Sequence, residues 1–311
     1  MKWSVLDIPD LHGTWTLITG PTGGLGFHIA LELARKGSNL ILAARSLERA
    51  REVASNIHAA APGVAIDVVP LDLAELTSVR SATDLIQRDH KQIDVLINNA
   101  GVMATPERQT AEGYELQMGT NHMGHFAFTS KLWPLLTESQ TRIVTVSSLM
   151  HTSVKGVDLR AFGHAEDPRR YRRWRAYSES KLANLLFSQE LHRRTSAAGT
   201  GVVSVAAHPG FASTKLQSSG PTLGGRSAMS VGLGAVTRAF AQPAHAGAWP
   251  ILMAATTPLL AGGSYAGPGS MRQTRGTPRL VGMSSAAQSE QGATDLWAAT
   301  ENAVGERFSF R

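Results

Sequence analysis

The chain contains no cysteine. That excludes disulfides, cysteine-based zinc sites and thiol nucleophiles, and it leaves the redox compartment open. It also lacks any uninterrupted apolar run near the ~20 residues that span a bilayer. Its first ten residues, Met1-Lys-Trp-Ser-Val-Leu-Asp-Ile-Pro-Asp10, carry acids where a signal peptide needs an apolar core. These absences set the expectation of a cytoplasmic protein without a membrane span. The histidines lack metal-ligand spacing: His122 and His125 have no accompanying pattern of Cys, Asp or Glu, so no metal is expected. No internal repeat and no domain boundary stand out. A length of 311 residues suggests two domains by a simple rule, but large α/β sheets often run this long as one unit.

What is present is 42% apolar residues, enough for one sizeable core. The first 210 residues alternate short apolar runs with amphipathic stretches. Trp15 to Thr19 reads as a strand, Phe27 to Lys36 as a helix stopped by Gly37, Leu40 to Ala44 as a second strand, and Leu47 to Ala60 as a second helix. Ile66 to Leu71, Val95 to Asn98, Ile143 to Val146 and Val202 to Ala207 supply further strands. Each is nearly all apolar and bounded by helical periodicity, the pattern of strands buried on both faces. The expected fold is α/β: a Rossmann-type, doubly wound parallel sheet with helices on both faces, one domain over residues 1–311. From Gly210 the character changes. Residues 217–247 are rich in Gly, Ser and Pro around a short apolar segment, and 261–292 read as loop. The region of about 211–290 is read as a variable part that shapes a substrate site.

A net charge of +6 raises the question of nucleic acid. Arg169, Arg170, Arg172, Arg173 and Arg175 cluster with Tyr171 and Trp174 between them. The patch fits an anionic partner or, more simply, a solvated helix start ahead of Tyr177. No nucleic-acid-binding motif accompanies it, so no nucleic-acid partner is expected.

Thr19-Gly-Pro-Thr-Gly-Gly-Leu-Gly26 links the first strand to the first helix. Glycines there let backbone N–H groups approach a pyrophosphate, and the helix N-terminus adds positive dipole. The turn is not Gly-x-Gly-x-x-Gly. It satisfies both Gly-x-x-x-Gly-x-Gly (20, 24, 26) and Gly-x-x-Gly-x-x-Gly (20, 23, 26), and does not choose between them. The second strand also lacks an acid at its end. An acid there would hydrogen-bond the 2′-hydroxyl of NAD(H). The chain has Ala43-Ala-Arg45-Ser46 instead, and an arginine fork matches the 2′-phosphate of NADP(H). Further on, Tyr177 and Lys181 sit four apart in Ala176-Tyr-Ser-Glu-Ser-Lys-Leu-Ala-Asn184, on one face of a helix. A cation beside a phenol favours the phenolate and brings its pKa down from about 10.

Taken in order, these motifs resemble the classical short-chain dehydrogenases/reductases over most of the chain. The matches are Thr19-Gly-x-x-x-Gly-x-Gly26, Asp72-Leu73, Asn98-Asn-Ala-Gly101, and Asn121 in Asn-His-Met-Gly-His-Phe126. They continue with Ser147-Ser148, Tyr177-x-x-x-Lys181 and Pro209-Gly-Phe-Ala-Ser-Thr214. Three features resemble the retinol-dehydrogenase-like and protochlorophyllide-reductase-like branch. These are the long insertion between Ser148 and Tyr177, the stretch Tyr177 to Asn184, and the tail Gly263-Ser-Tyr-Ala-Gly-Pro268 with Leu296-Trp297.

The resemblance implies the roles. Tyr177 would give or take the proton at the substrate oxygen. Lys181 would lower the Tyr177 pKa and hold the nicotinamide ribose. Ser148, rather than Ser147, would hydrogen-bond the substrate oxygen where charge develops. Asn121 would hold a water that extends a proton path from Lys181. Gly20, Thr22, Gly24, Leu25 and Gly26 would cradle the cofactor, with Arg45 at its 2′-phosphate and Asp72 and Leu73 flanking the adenine. Asn98, Ala100 and Gly101 would line the adenosine ribose. Pro209, Gly210 and Thr214 would complete the contacts, with Thr214 meeting the carboxamide or pyrophosphate. The implied activity is NADP(H)-dependent carbonyl reduction, or the reverse alcohol oxidation, on a medium to large apolar ketone, aldehyde or secondary alcohol. Two alternatives stay open: reduction of a carbon–carbon double bond, and a dinucleotide-sensing or scaffold protein on the same fold. A homodimer or homotetramer is the family's expectation, although the insertion at 149–176 is able to block a usual interface.

Overall fold

The computed structural model describes residues 3–162, 171–211, 242–258 and 260–310. The chain runs β1 (Trp15–Thr19), α1 (Leu25–Arg35), β2 (Asn39–Ala44), α2 (Leu47–Ala60), β3 (Ile66–Pro70), α3 (Leu76–Asp89) and β4 (Val95–Asn98). Then come α4 (Leu116–Met118), a π-helical turn (Gly119–Met123), α5 (Gly124–Lys131), α6 (Trp133–Glu138) and β5 (Arg142–Val146). The remainder is α7 (Arg173–Ala198), β6 (Val203–Ala207), α8 (Ala244–Thr256), β7 (Tyr265–Ser270), β8 (Arg275–Leu280) and α9 (Glu290–Val304).

All described strands join one sheet in the order β3-β2-β1-β4-β5-β6-β7-β8. Every neighbouring pair is parallel except β7 with β8. The expected doubly wound sheet is therefore present. Successive side chains of a strand point to opposite faces, and the core divides accordingly. Leu17, Leu96 and Ile143 pack on one face with α3, α5, α7 and α9. Their neighbours Ile18, Ile97 and Val144 pack on the other with α1, α2 and α8. Strands that bury both faces have to be apolar at every position, which is what the sequence pattern reported.

The helices end where local chemistry ends them. Gly37 follows α1 at φ +94°, and Gly199 closes α7 at φ +63°, conformations that a side chain resists. The segment read as loop, residues 261–292, is different: it holds β7, β8, a 3₁₀ turn at Ser285–Gln288 and the start of α9. Glycine and proline misled the reading because this is the sheet edge. Pro268 stands opposite Pro278, where no central ladder has to be kept. Gly267 belongs to a strand because a Cβ there would run into the His208 ring.

Strands β1 and β4, not consecutive in the chain, lie side by side, and the order reverses between them. That is the switch point of a doubly wound sheet, and a cavity opens at its carboxyl edge.

Candidate active site

The β1–α1 turn forms one wall of a cavity of about 370 Å³. Gly20 (φ +68°) packs its backbone against Ala100, whose Cα would lie 2.9 Å from any added Cβ. Gly24 adopts φ +53°, ψ −119°, and a Cβ on Gly26 would run into the Gly20 carbonyl. Gly23 has open space around it and no positive φ. The structure thus chooses between the two glycine patterns: residues 20, 24 and 26 carry the constraint. No side chain caps α1, so the N–H groups of its first turn face the cavity without a protein acceptor from the cap residue. An uncapped helix start beneath glycine backbone fits an anion such as a pyrophosphate.

Thr22, Leu25, Arg45, Asp72, Leu73, Ala100 and Gly101 line the same cavity. Arg45 is exposed, and its Nη1 reaches to 4.0 Å from Asp72 Oδ2. Asp72 is itself held in place, its Oδ1 accepting from the Ala74 N–H at 2.9 Å. Ser46 and Arg49 are among the lining residues outside the predicted site. Arg49 lies in the first turn of α2, and Ser46 caps that helix by accepting from the Arg49 N–H. Arg45-Ser-Leu-Glu-Arg49 therefore brings two guanidinium groups to the end of β2, a spacing that was visible in the sequence.

Asn98 is a correction. Its side chain is buried in the core, where it donates to Thr129 Oγ1 at 3.1 Å, and it does not line the cavity. Strand alternation puts its neighbour there instead. Asn99 lines the cavity and donates to the carbonyls of Thr19 (2.9 Å) and Gly20 (3.2 Å), which fixes the glycine turn.

The catalytic candidates gather beyond Gly101. A Cβ on Gly101 would meet Asn121 Oδ1 at 2.9 Å and Lys181 Nζ at 3.6 Å, so the cavity wall and these groups are in contact. Lys181 Nζ donates to the Val146 carbonyl at 3.1 Å, an acceptor shared with Asn184. It stands 5.9 Å from the centre of the Tyr177 ring. Ser147 is spent on the Lys181 carbonyl at 2.8 Å, whereas Ser148 Oγ accepts from the Met150 N–H at 3.3 Å and faces Tyr177 closely enough to favour its phenolate. The strand end thus gives the two serines different partners.

Burial governs the electrostatics here. It pushes the Tyr177 phenol up to about 12, opposed by the Ser148 hydrogen bond, which favours the phenolate. It also brings Lys181 down to about 8. Lys181 is not among the groups that lower Tyr177 here, so the expected lowering is absent and desolvation sets the direction.

Asn121 lies in the π-helical turn. Its Oδ1 accepts from the Val102 N–H (2.8 Å), and its Nδ2 donates to the Val102 carbonyl and to Ser180 Oγ (both 2.9 Å). That leaves its main-chain carbonyl, which accepts from His125 Nδ1 at 3.0 Å, for the water expected of it.

Pro209 and Gly210 follow β6 and are clamped from beside. Gln242 donates to the Pro209 carbonyl at 2.7 Å, and Gly210 sits with φ +66° against the Thr274 carbonyl. Thr214 lies outside the described residues, as do Arg169 and Arg170 of the basic cluster. The rest of that cluster is the exposed start of α7: Arg175 pairs with Glu179 at 2.8 Å, and Tyr171 donates to Glu115 Oε1 at 2.8 Å. Among the described residues no helix is long and apolar enough to cross a membrane.

Comparison with known proteins agrees with this geometry. Residues 14–160 match the family model of short chain dehydrogenases. Human retinol dehydrogenase 13 is 40% identical over 211 residues, 66% of this chain and 60% of that protein. The chain spans less than two thirds of the length of the curated relatives it matches. A solved structure of an uncharacterized protein from Mycobacterium paratuberculosis is 37% identical, with TM-score 0.80, covering 99% of this chain and 100% of that one. A short-chain dehydrogenase from Sphingobium yanoikuyae, solved in complex with NADPH, shares the fold at TM-score 0.61 and 23% identity, over 80% of this chain and 87% of that one.

Proposed function

The chain belongs to the short-chain dehydrogenase/reductase family, in its retinol-dehydrogenase-like branch, and from that footing we propose an NADP(H)-dependent carbonyl reductase or alcohol dehydrogenase. Its substrate would be a medium to large apolar ketone, aldehyde or secondary alcohol. One observation carries the reading: Lys181, packed with Tyr177, lies against Gly101, and Gly101 lines the same cavity as Arg45 and Arg49.

The dinucleotide, when bound, supplies the hydride. The protein's part is position and charge. Gly20, Gly24 and Gly26 give backbone access for a pyrophosphate at the start of α1. Arg45 and Arg49 supply guanidinium forks suited to a 2′-phosphate, and no acid stands at the end of β2 to favour a bare ribose. Tyr177, protonated because its site is dry, is poised to donate to a substrate oxygen. Ser148 offers that oxygen a second donor. Lys181, with its pKa lowered to about 8 by burial, holds charge near the phenol and gives up a proton more readily near neutral pH than an exposed lysine does.

The test is twofold. NADPH should bind more tightly than NADH, and Arg45→Ala with Arg49→Ala should erase that preference. Tyr177→Phe should remove turnover of ketones and aldehydes while NADPH affinity stays close to wild type. Turnover that survives in Tyr177→Phe sinks the mechanism.

A further inference from the structure

His125 has no role in the chemistry above, yet it is buried between the two halves of the site. Its Nδ1 lies 3.0 Å from the Asn121 carbonyl, which can only accept, so Nδ1 carries the proton. Its Nε2 lies 2.9 Å from Thr19 Oγ1. That hydroxyl already accepts from the Asn99 and Ala100 N–H groups, each at 3.0 Å. Its own hydrogen has two acceptors in reach, the Ile97 carbonyl at 3.4 Å and Nε2 at 2.9 Å, and Nε2, left bare by the proton on Nδ1, is the nearer. The hydrogen bonds therefore assign one neutral tautomer, with Nδ1 protonated and Nε2 bare. Burial agrees, holding the ring neutral with a pKa near 4, and the Lys181 charge acts in the same direction.

The two contacts tie different parts together. Thr19 ends β1 and organises the start of the β4 loop, whose Asn99 fixes the glycine turn. Asn121 belongs to the π-turn, and its side chain holds Val102 and Ser180 beside Lys181. We infer that His125 is a positioning residue, a neutral clamp that couples the dinucleotide-binding turn to the π-turn carrying Asn121. It touches neither reacting atom. The inference rests on the proposed reductase reading only for its kinetic part.

The geometry separates the two nitrogens, so two amides test it. In His125→Asn the amide nitrogen replaces Nδ1–H toward Asn121 but does not reach Thr19. In His125→Gln the amide oxygen replaces Nε2 toward Thr19 and leaves Asn121 without a donor. His125→Asn should raise the NADPH Kd roughly five- to tenfold, the worth of about one net hydrogen bond, with the smaller loss in kcat. His125→Gln should show the opposite split, its larger loss in kcat and its smaller change in Kd. Independently of turnover, ¹⁵N-histidine spectra of the wild type should show one ring, absent in His125→Gln, with Nδ1 protonated and Nε2 bare at neutral pH. A ring protonated on Nε2 overturns the clamp, as do NADPH affinity and kcat falling in parallel in both variants, or moving in neither. If the wild type turns over no carbonyl compound yet binds NADPH, the reductase reading fails while the spectra and the Kd comparison still decide the clamp.

Discussion

Lowering the pH from 7 to 5 should remove about 6 kcal/mol of unfolding free energy through three histidines. His122, His125 and His208 are buried, and desolvation lowers them from 6.5 to about 3, about 4 and about 3. A depressed pKa contributes stability that is whole above the unfolded value and is lost as pH falls toward the folded one. The window opens near 6.5 and closes near 4 for His125 and near 3 for the other two. At pH 5 the unfolded chain binds nearly one proton at each ring and the native state almost none, a loss of about 2 kcal/mol per histidine at 1.36 kcal/mol per pKa unit. Three such losses approach the whole stability of a typical domain, about 5–15 kcal/mol.

Other buried groups modify the sum, and their signs are known. Burial raises Glu115 and Glu179 above 4.5, so their contribution is whole at low pH and acidification recovers part of it. Lys181, lowered to about 8 from 10.5, loses its contribution as pH falls through 8 and adds nothing between 7 and 5. Urea unfolding at the two pH values, followed by far-UV and tryptophan signals together, measures the difference. His122→Leu is the control: His122 Nδ1 finds no partner among the described residues, and Nε2 bonds only Thr300 Oγ1, so an apolar side chain is tolerable there. It should shrink the pH difference by about 2 kcal/mol. A total drop below about 2 kcal/mol with all three histidines present would mean that the native state takes up their protons, and the burial argument would be wrong.

Three further outcomes follow from particular contacts. Gly26→Ala should lose dinucleotide binding, seen by fluorescence titration, because its Cβ meets backbone that no rotamer can move; binding within a few-fold of wild type would mean the turn yields. Gln242→Leu deprives the Pro209 carbonyl of a donor at 2.7 Å and leaves Gly276 N–H without its acceptor. It should cost about 1–3 kcal/mol in thermal or urea unfolding and raise KM for the dinucleotide more than it lowers kcat. Trp297→Ala should cost about 3–5 kcal/mol, since the ring is fully buried, stacked on Phe187 at 5.7 Å and covered by Arg194, while kinetic constants of the folded variant should hardly move.

The fold was legible because its strands bury both faces. Apolar runs such as Leu40 to Ala44 have no second explanation when flanked by helical periods, and boundaries came within a residue or two. The reading failed where the chain carries turn residues near the sheet edge. Tyr265–Ser270 contains two glycines and a proline, and only its pairing between β6 and the edge strand β8 makes it a strand. Periodicity carries no information about which edge has room for a proline.

The site divides along a similar line. Residues whose chemistry is local, such as Tyr177 with Lys181 or the glycines of the β1–α1 turn, announce themselves by spacing. Asn98 and Asn99 differ only by strand alternation, and deciding which of them faces the cavity requires knowing where β4 ends. His125 and Gln242 are less visible still. Each is a lone polar residue in an apolar or irregular stretch, and each acts by meeting groups that lie far away in sequence: Thr19 is 106 residues from His125, and Pro209 is 33 from Gln242. A buried polar side chain persists only if its hydrogen bonds are met. The useful question about such residues is therefore which distant backbone they hold, and here both hold loops at the carboxyl ends of strands. Catalytic candidates are set by the chemistry they offer; these two are set by the geometry they impose on it.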